Sequence, residues 1–371
     1  MITLSPLNKR RLSNFKKNRR AVWSLFIFSI LFGLSLFAEF LANDKPILVS
    51  YRGELFMPVT QFYPETTFGG DFKTEATYRD PEVQCLIRSG GLEVCFEDPE
   101  VTMDAISSDD LSVEVEGFYE GWMIWPPVPY SYDTPNDLGR SAPSPPDWQH
   151  WLGTDDTTRD VLARVIYGFR LSILFALIVT VFASIIGVIA GAIQGYFGGW
   201  LDLVFQRFLE VFSALPSLYV IIILTAILGR SFWLLVTLSI IFGWPALTGL
   251  IRAEFFRARN FEYVRAAQAL GVNNWTIMMR HILPNAMVAT LTFLPFIVTG
   301  AISTLAGLDF LGFGLPSSSP SLGELSQQAK LNLQSPHLGF TAFFVFTIML
   351  SLLVFIFEGV RDAFDPRKVF S

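Results

Sequence analysis

Leu171-Ser-Ile-Leu-Phe-Ala-Leu-Ile-Val-Thr-Val-Phe-Ala-Ser-Ile-Ile-Gly-Val-Ile-Ala-Gly-Ala-Ile193 runs for 23 positions without a charged residue. As a helix, a run of this length matches the roughly 30 Å hydrocarbon core of a bilayer. Five further runs have the same character: residues 21–42, 207–229, 231–251, 284–308 and 338–358. Their charges (Glu39, Arg207, Glu210, Arg230 nearby and Glu358) fall at or beside run ends. One such run fits the core of a soluble protein; six in one chain do not. The composition agrees, with 51% apolar, 15% aromatic and only 16% charged residues in 371, where soluble domains carry about 25% charged. The expected fold class is an all-α polytopic membrane protein with six transmembrane helices.

Charge is distributed unevenly along the chain. The net charge of −6 argues against a nucleic-acid partner. Residues 43–160 hold 23 of the 33 acidic residues and 7 of the 27 basic ones, so the remainder is basic. The tail 1–20 carries Lys9, Arg10, Arg11, Lys16, Lys17, Arg19 and Arg20. The apolar run behind it is longer than a signal peptide's, so it reads as an uncleaved first span with its basic tail in the cytoplasm. Six spans return the 361–371 tail to the same side, a multi-pass inner-membrane topology with both termini cytoplasmic. Residues 43–160 then form an outer, acidic domain. Arg159, Arg164 and Arg170 break the charge rule there. Val161, Leu162, Val165, Ile166 and Phe169 recur among them at helical spacing, which predicts an interfacial helix with its arginines directed to headgroups or water.

Within the outer domain, residues 111–119 alternate apolar and polar, a strand signal. Seven prolines in 126–146 predict an extended linker. Cys85 and Cys95, the only cysteines, bracket Gly90-Gly91 and predict a disulfide across a small hairpin. No nearby histidine accompanies them, so a metal site is not expected.

Motifs for covalent chemistry are missing. The chain contains no phosphate-binding glycine-lysine loop, no His-Glu-x-x-His and no Gly-x-Ser-x-Gly. His150, His281 and His337 lie far apart in sequence. The chain is therefore not expected to be an enzyme or to hold a cofactor of its own. Pro216, Pro245 and Pro295 lie inside predicted spans and interrupt helical hydrogen bonding. The informative hydrophilic segment is 252–283, between spans four and five. Val264, Ala267 and Leu270 fall on one helical face, with Arg265 and Gln268 opposite. Gly271 turns the chain, Asn273-Asn274 suit a cap, and Pro284 opens the next helix. Such a helix-turn-helix fits either a groove in a partner or the lipid surface.

These residues carry a resemblance. Arg265-Ala266-Ala267, Gly271 and His281-Ile282-Leu283-Pro284-Asn285 resemble the Glu-Ala-Ala…Gly…Leu-Pro loop of ABC importer permeases, with Arg265 in place of the family's glutamate. The segment 150–172, with Gly195-Tyr-Phe-Gly-Gly-Trp-Leu-Asp202, Ala214-Leu-Pro216, Phe310-Leu-Gly-Phe-Gly314 and Arg361-Asp-Ala-Phe-Asp-Pro366, is similar to the C-type permease subunits of dipeptide and oligopeptide importers. Residues 284–295 and 303–320 look closest to a subgroup that imports peptides and the peptide-nucleotide microcin C. The resemblance implies the type I ABC importer permease fold, with core 161–360 and an inserted periplasmic domain of mixed or β structure. It implies ATPase coupling through Glu262, Arg265, Ala266, Ala267, Gly271, Leu283 and Pro284. The implied partners are a second permease subunit in a heterodimer, cytoplasmic ATPases that bind ATP and Mg, a periplasmic peptide-binding protein and the lipid bilayer. The competing class is a membrane-anchored receptor whose 43–160 domain binds ligand, for which six spans are excess.

Overall fold

The computed structural model describes residues 6–107, 119–136, 139 and 141–364. In chain order, the elements are α1 (Pro6–Lys17), α2 (Arg19–Leu36), α3 (Ala38–Leu41), β1 (Leu48–Tyr51), β2 (Glu54–Phe56), α4 (Pro81–Ser89), α5 (Pro99–Ser107) and β3 (Trp122–Ile124). There follow α6 (Val161–Phe197), α7 (Gly199–Ser213), α8 (Ser217–Leu228), α9 (Phe232–Gly243), α10 (Pro245–Ala258), α11 (Glu262–Ala269) and α12 (Asn274–Thr276). A π-helical stretch, Ile277–Ile282, leads into α13 (Leu283–Phe310), then α14 (Leu322–Leu331) and α15 (Pro336–Phe364). Two compact units result: Leu34–Tyr167, and Met1–Gly33 with Gly168–Ser371.

Among the described residues, five helices are long and apolar enough to cross a membrane: Arg19–Leu36, Val161–Phe197, Phe232–Ala258, Asn274–Phe310 and Pro336–Phe364. The expected third span, 207–229, is not one straight helix. It breaks between α7 and α8 with a bend of 67°, and the pair makes a sixth crossing only if counted together. Pro216, which lacks an amide hydrogen, sits at the break before Ser217. Pro245 acts differently. It occupies the first turn of α10, where no amide is needed, so α9 and α10 continue as one 27-residue helix. The helix Asn274–Phe310 has 37 residues, about 55 Å at 1.5 Å per residue. It is longer than the roughly 30 Å bilayer core. Much of the predicted loop 252–283 is thus the ends of two long helices.

The larger unit owes its closest packing to small residues. Gly187, Gly191 and Gly195 follow one another at four-residue spacing along α6. A Cβ at these positions would lie 2.7 Å from Trp244 O, 2.6 Å from Thr248 O and 2.4 Å from Arg252 O. The backbones of α6 and α10 therefore touch along two helical turns. A helix the sequence did not announce, α14, packs with α13 and α15. Its cap Ser321 accepts from Glu324 N at 3.2 Å and donates to Asp309 Oδ2 at 2.5 Å, while Asp309 Oδ1 accepts from Leu315 N at 2.7 Å. One carboxylate thus ties the Phe310–Gly314 turn to the start of α14.

The smaller unit contains a three-stranded antiparallel sheet in the order β2-β1-β3, with Val49 opposite Phe56 and Met123. Phe68 centres its core, with Tyr51, Phe56 and Tyr78 packed edge-on at 5.5–5.7 Å. The strand expected at 111–119 lies, apart from Tyr119, outside the described residues. Cys85 and Cys95 are joined by a disulfide, Cα to Cα 5.6 Å. The loop it closes is not a hairpin: Cys85 is on α4 and Cys95 on a 3₁₀ turn, Glu93–Phe96.

Two expectations for this region need correction. In the described part of the proline-rich stretch 126–146, Val128 and Tyr130 are packed into one core with Ala38, Ala42, Ala163 and Tyr167 rather than forming a free linker. That packing also widens the unit beyond 43–160. The segment from Val161 to Phe169 is no separate interfacial helix but the start of α6. Arg159 and Arg164 do not face water. Arg164 is fully buried and donates to Asp155 Oδ2 at 2.6 Å, and Arg159 Nε donates to the same oxygen at 2.9 Å. Burial raises the Asp155 carboxyl pKa, but Arg164 and Arg159 outweigh it and hold the group below its ordinary value.

Candidate functional site

The segment singled out by its pattern forms α11, a turn at Gly271 and α12. Its inner side belongs to a core made by α6, α10, α11, the π stretch and α13: Tyr196, Ile251, Phe255, Val264, Ala267, Ile277, Ile282 and Ala286. Val264 and Ala267 occupy the predicted inward face. Leu270 does not. It is the C-cap residue and is 83% exposed, because the helix has already ended and the chain is turning away. The Ala-Ala pair divides its work: Ala267 is buried in the core, whereas Ala266 lies on the open surface with Glu262 and Arg265. Leu283 is half-buried and Pro284 exposed.

Gly271 has φ +76°, and a side chain there would meet nothing within 4 Å. Only backbone conformation demands glycine. Asn273 caps α12 by accepting from Trp275 N at 2.9 Å. The outward surface of the turn displays Tyr263, Leu270, Trp275 and Met279, all exposed. Large apolar side chains left open beside the spans can be covered by a partner protein or by lipid.

Side-chain ties fasten this surface to the end of α6. Tyr196 Oη donates to Asn274 Oδ1 at 2.8 Å and accepts from Gln268 Nε2 at 3.4 Å. Arg259 Nη1 donates to Tyr196 O at 3.2 Å, and its guanidinium lies 4.0 Å from the Phe256 ring centre. A neighbouring link, Arg252 to Asp202, is bidentate at 2.5 and 2.6 Å. None of these pairs is visible in the sequence, since Tyr196 and Asn274 are 78 positions apart.

Farther along the same helices lies a cavity of about 310 Å³, walled by Ser217 and Ile221 of α8, Ser239 of α9 and Phe293, Phe296 and Ile297 of α13. Its lining is apolar with a few hydroxyls. In the smaller unit, a polar cleft of about 710 Å³ includes Lys45, Glu75, Arg79 and Tyr130. Its cations are engaged internally: Lys45 with Glu75 at 2.5 Å, Arg79 with Asn136 Oδ1 at 2.7 Å and over the Tyr130 ring.

A family model described as the inner membrane component of binding-protein-dependent transport systems matches residues 183–369, the part containing this surface and cavity. The chain belongs to this family. A second model, the N-terminal transmembrane domain of oligopeptide transport permease C, matches residues 6–63. The YejE peptidoglycan transport system permease of Agrobacterium fabrum is 52% identical, covering 99% of this chain and 94% of its own. The inner membrane ABC transporter permease YejE of Escherichia coli is 49% identical, covering 99% of both. The oligopeptide permease OppC of Bacillus subtilis is 35% identical over 64% of this chain and 78% of its own. The relatives alike along their whole length thus include the inserted unit, while OppC aligns over a shorter part. Membership makes the chain a multi-pass inner-membrane permease component, and its apolar helices are the spans of such a protein.

Proposed function

We propose that the chain is one of two permease subunits of an ATP-driven importer of peptides. A periplasmic binding protein delivers the peptide, and two cytoplasmic ATPases, binding ATP and Mg, dock at α11 and the Gly271 turn. Both termini then lie in the cytoplasm, and residues 43–160 lie in the periplasm. Cargo includes oligopeptides and microcin C-like peptide-nucleotides. Closure of the ATPases pushes on α11 and alternates the access of the central pathway. The chain conducts and couples without covalent catalysis.

The observation that carries this reading is the turn itself: exposed Tyr263, Leu270, Trp275 and Met279 stand on a segment whose other side is locked into the spans by Val264, Ala267 and the Tyr196–Asn274 bond. A surface resting on lipid needs no such lock, whereas one that transmits force does. The names of the relatives support the cargo class.

The test uses Gly271→Val in the reconstituted complex. A β-branched residue is strained at φ +76°, yet it has room, so the spans stay intact. Peptide uptake is expected to fall by about tenfold or more, within the usual range of coupling energies, at near-normal membrane abundance. Binding-protein-stimulated ATP hydrolysis is lost with it. Full uptake and full stimulation in this variant would contradict the assignment.

A further inference from the structure

Helix α7 is mostly exposed, with Trp200, Leu203, Val204, Phe208 and Val211 all open. Asp202, in its first turn, is one of its few buried residues. Arg252 of α10 meets that carboxylate with Nε on Oδ1 and Nη2 on Oδ2. Among the described residues, these are the only side-chain hydrogen bonds α7 makes outside itself. A forked guanidinium-carboxylate contact fixes distance and angle together, which an apolar contact does not. The negative charge also sits at the favourable end of the α7 dipole.

At its far end, α7 is held by the stacking of Phe212 on Phe242, ring centres 5.4 Å apart, with Trp244 at 6.3 Å. Both anchors stand on the single helix Phe232–Ala258, which runs on into α11 within four residues. Beyond Phe212, the chain bends by 67° into α8, and α8 supplies Ser217 and Ile221 to the wall of the 310 Å³ cavity. A continuous line of structure thus joins the docking turn to one wall of the cavity, and Asp202–Arg252 is its polar joint.

We propose that the Asp202–Arg252 ion pair is a positioning contact that makes α7 follow Phe232–Ala258, so that displacement of α11 is delivered to the α8 wall of the cavity. This rests on α11 being the ATPase-docking helix. The pair touches no substrate; it acts through α8.

The experiment measures peptide imported per ATP hydrolysed, using trialanine as cargo, in proteoliposomes holding the full complex and its binding protein. The comparison is wild type, Asp202→Asn and Asp202→Glu. Asp202→Asn is expected to keep stimulated ATP hydrolysis within about twofold while import per ATP falls by about tenfold, a typical coupling energy. Asp202→Glu retains the charge and is expected to keep most of the import. Four results would overturn the proposal. One is unchanged import per ATP in Asp202→Asn. Another is a parallel loss of hydrolysis and import, which marks a purely structural anchor. Failure of Asp202→Asn to assemble has the same meaning. The fourth is a Glu variant as impaired as the Asn variant. A wild-type complex that imports no peptide would overturn the functional reading and this proposal together.

Discussion

Asp155 shows how far a charged residue's role depends on what packs over it. Arg159 and Arg164 read in sequence as headgroup or water contacts, because charges just before an apolar run usually are. They instead neutralise a carboxylate with no exposed surface, which also accepts from Arg159 N and Thr157 N at 2.9 and 2.8 Å. A carboxyl whose pKa is depressed by folding contributes stability that is present above its unfolded pKa and lost as pH falls through the folded value. The smaller unit should therefore hold constant stability from this group between about pH 7 and 5, and lose it below about pH 4, given the ordinary carboxylate value. Asp155→Asn should destabilise that unit by about 3–5 kcal/mol, the cost of leaving buried guanidinium groups uncompensated. Hydrogen exchange of the full chain as a function of pH checks both expectations. An Asn variant whose smaller unit is as protected as wild type would refute the assignment.

At the scale of elements, the α6–α10 contact is the most demanding packing. Gly191→Val would place its Cβ 2.6 Å from Thr248 O and 2.9 Å from Ile251 Cβ, with two more carbons beyond. It should cost at least the roughly 1–3 kcal/mol of an overpacked core, seen as lower membrane abundance and a lower midpoint of thermal unfolding in detergent. Gly249, on the facing helix α10, has open space at its Cβ. Gly249→Ala should be neutral or slightly stabilising, since alanine favours helix by about 1 kcal/mol. Equal behaviour of the two variants would show that α6 and α10 do not approach as described. Element existence was legible wherever an apolar run exceeded bilayer length. Element ends were not. Hydropathy alone does not separate Pro216, which breaks a helix, from Pro245, which starts the next turn of one. Nor does it reveal α14, whose position depends on Asp309 reaching Ser321 twelve residues on.

For the whole molecule, the sequence showed an acidic unit inserted into an apolar permease, and the helix-turn-helix over 262–276 was legible from its apolar spacing, Gly271 and Asn273. Local pattern sufficed because Gly271 and Asn273 act on their own backbone. The long-range ties, Tyr196 to Asn274 and Asp202 to Arg252, depend on which helices become neighbours, and periodicity carries no such information. Leu270 was misplaced for a related reason: the heptad-like spacing continues past the point where the helix stops. Its exposure is now the most useful handle on the molecule. If this turn meets an ATPase, a photo-crosslinker placed at Leu270 in native membranes should form an adduct with the ATPase subunit, with a yield that changes between nucleotide-free and ATP-trapped states. An adduct only with lipid, or labelling of Leu270 by an impermeant reagent applied from the periplasmic side, would contradict it.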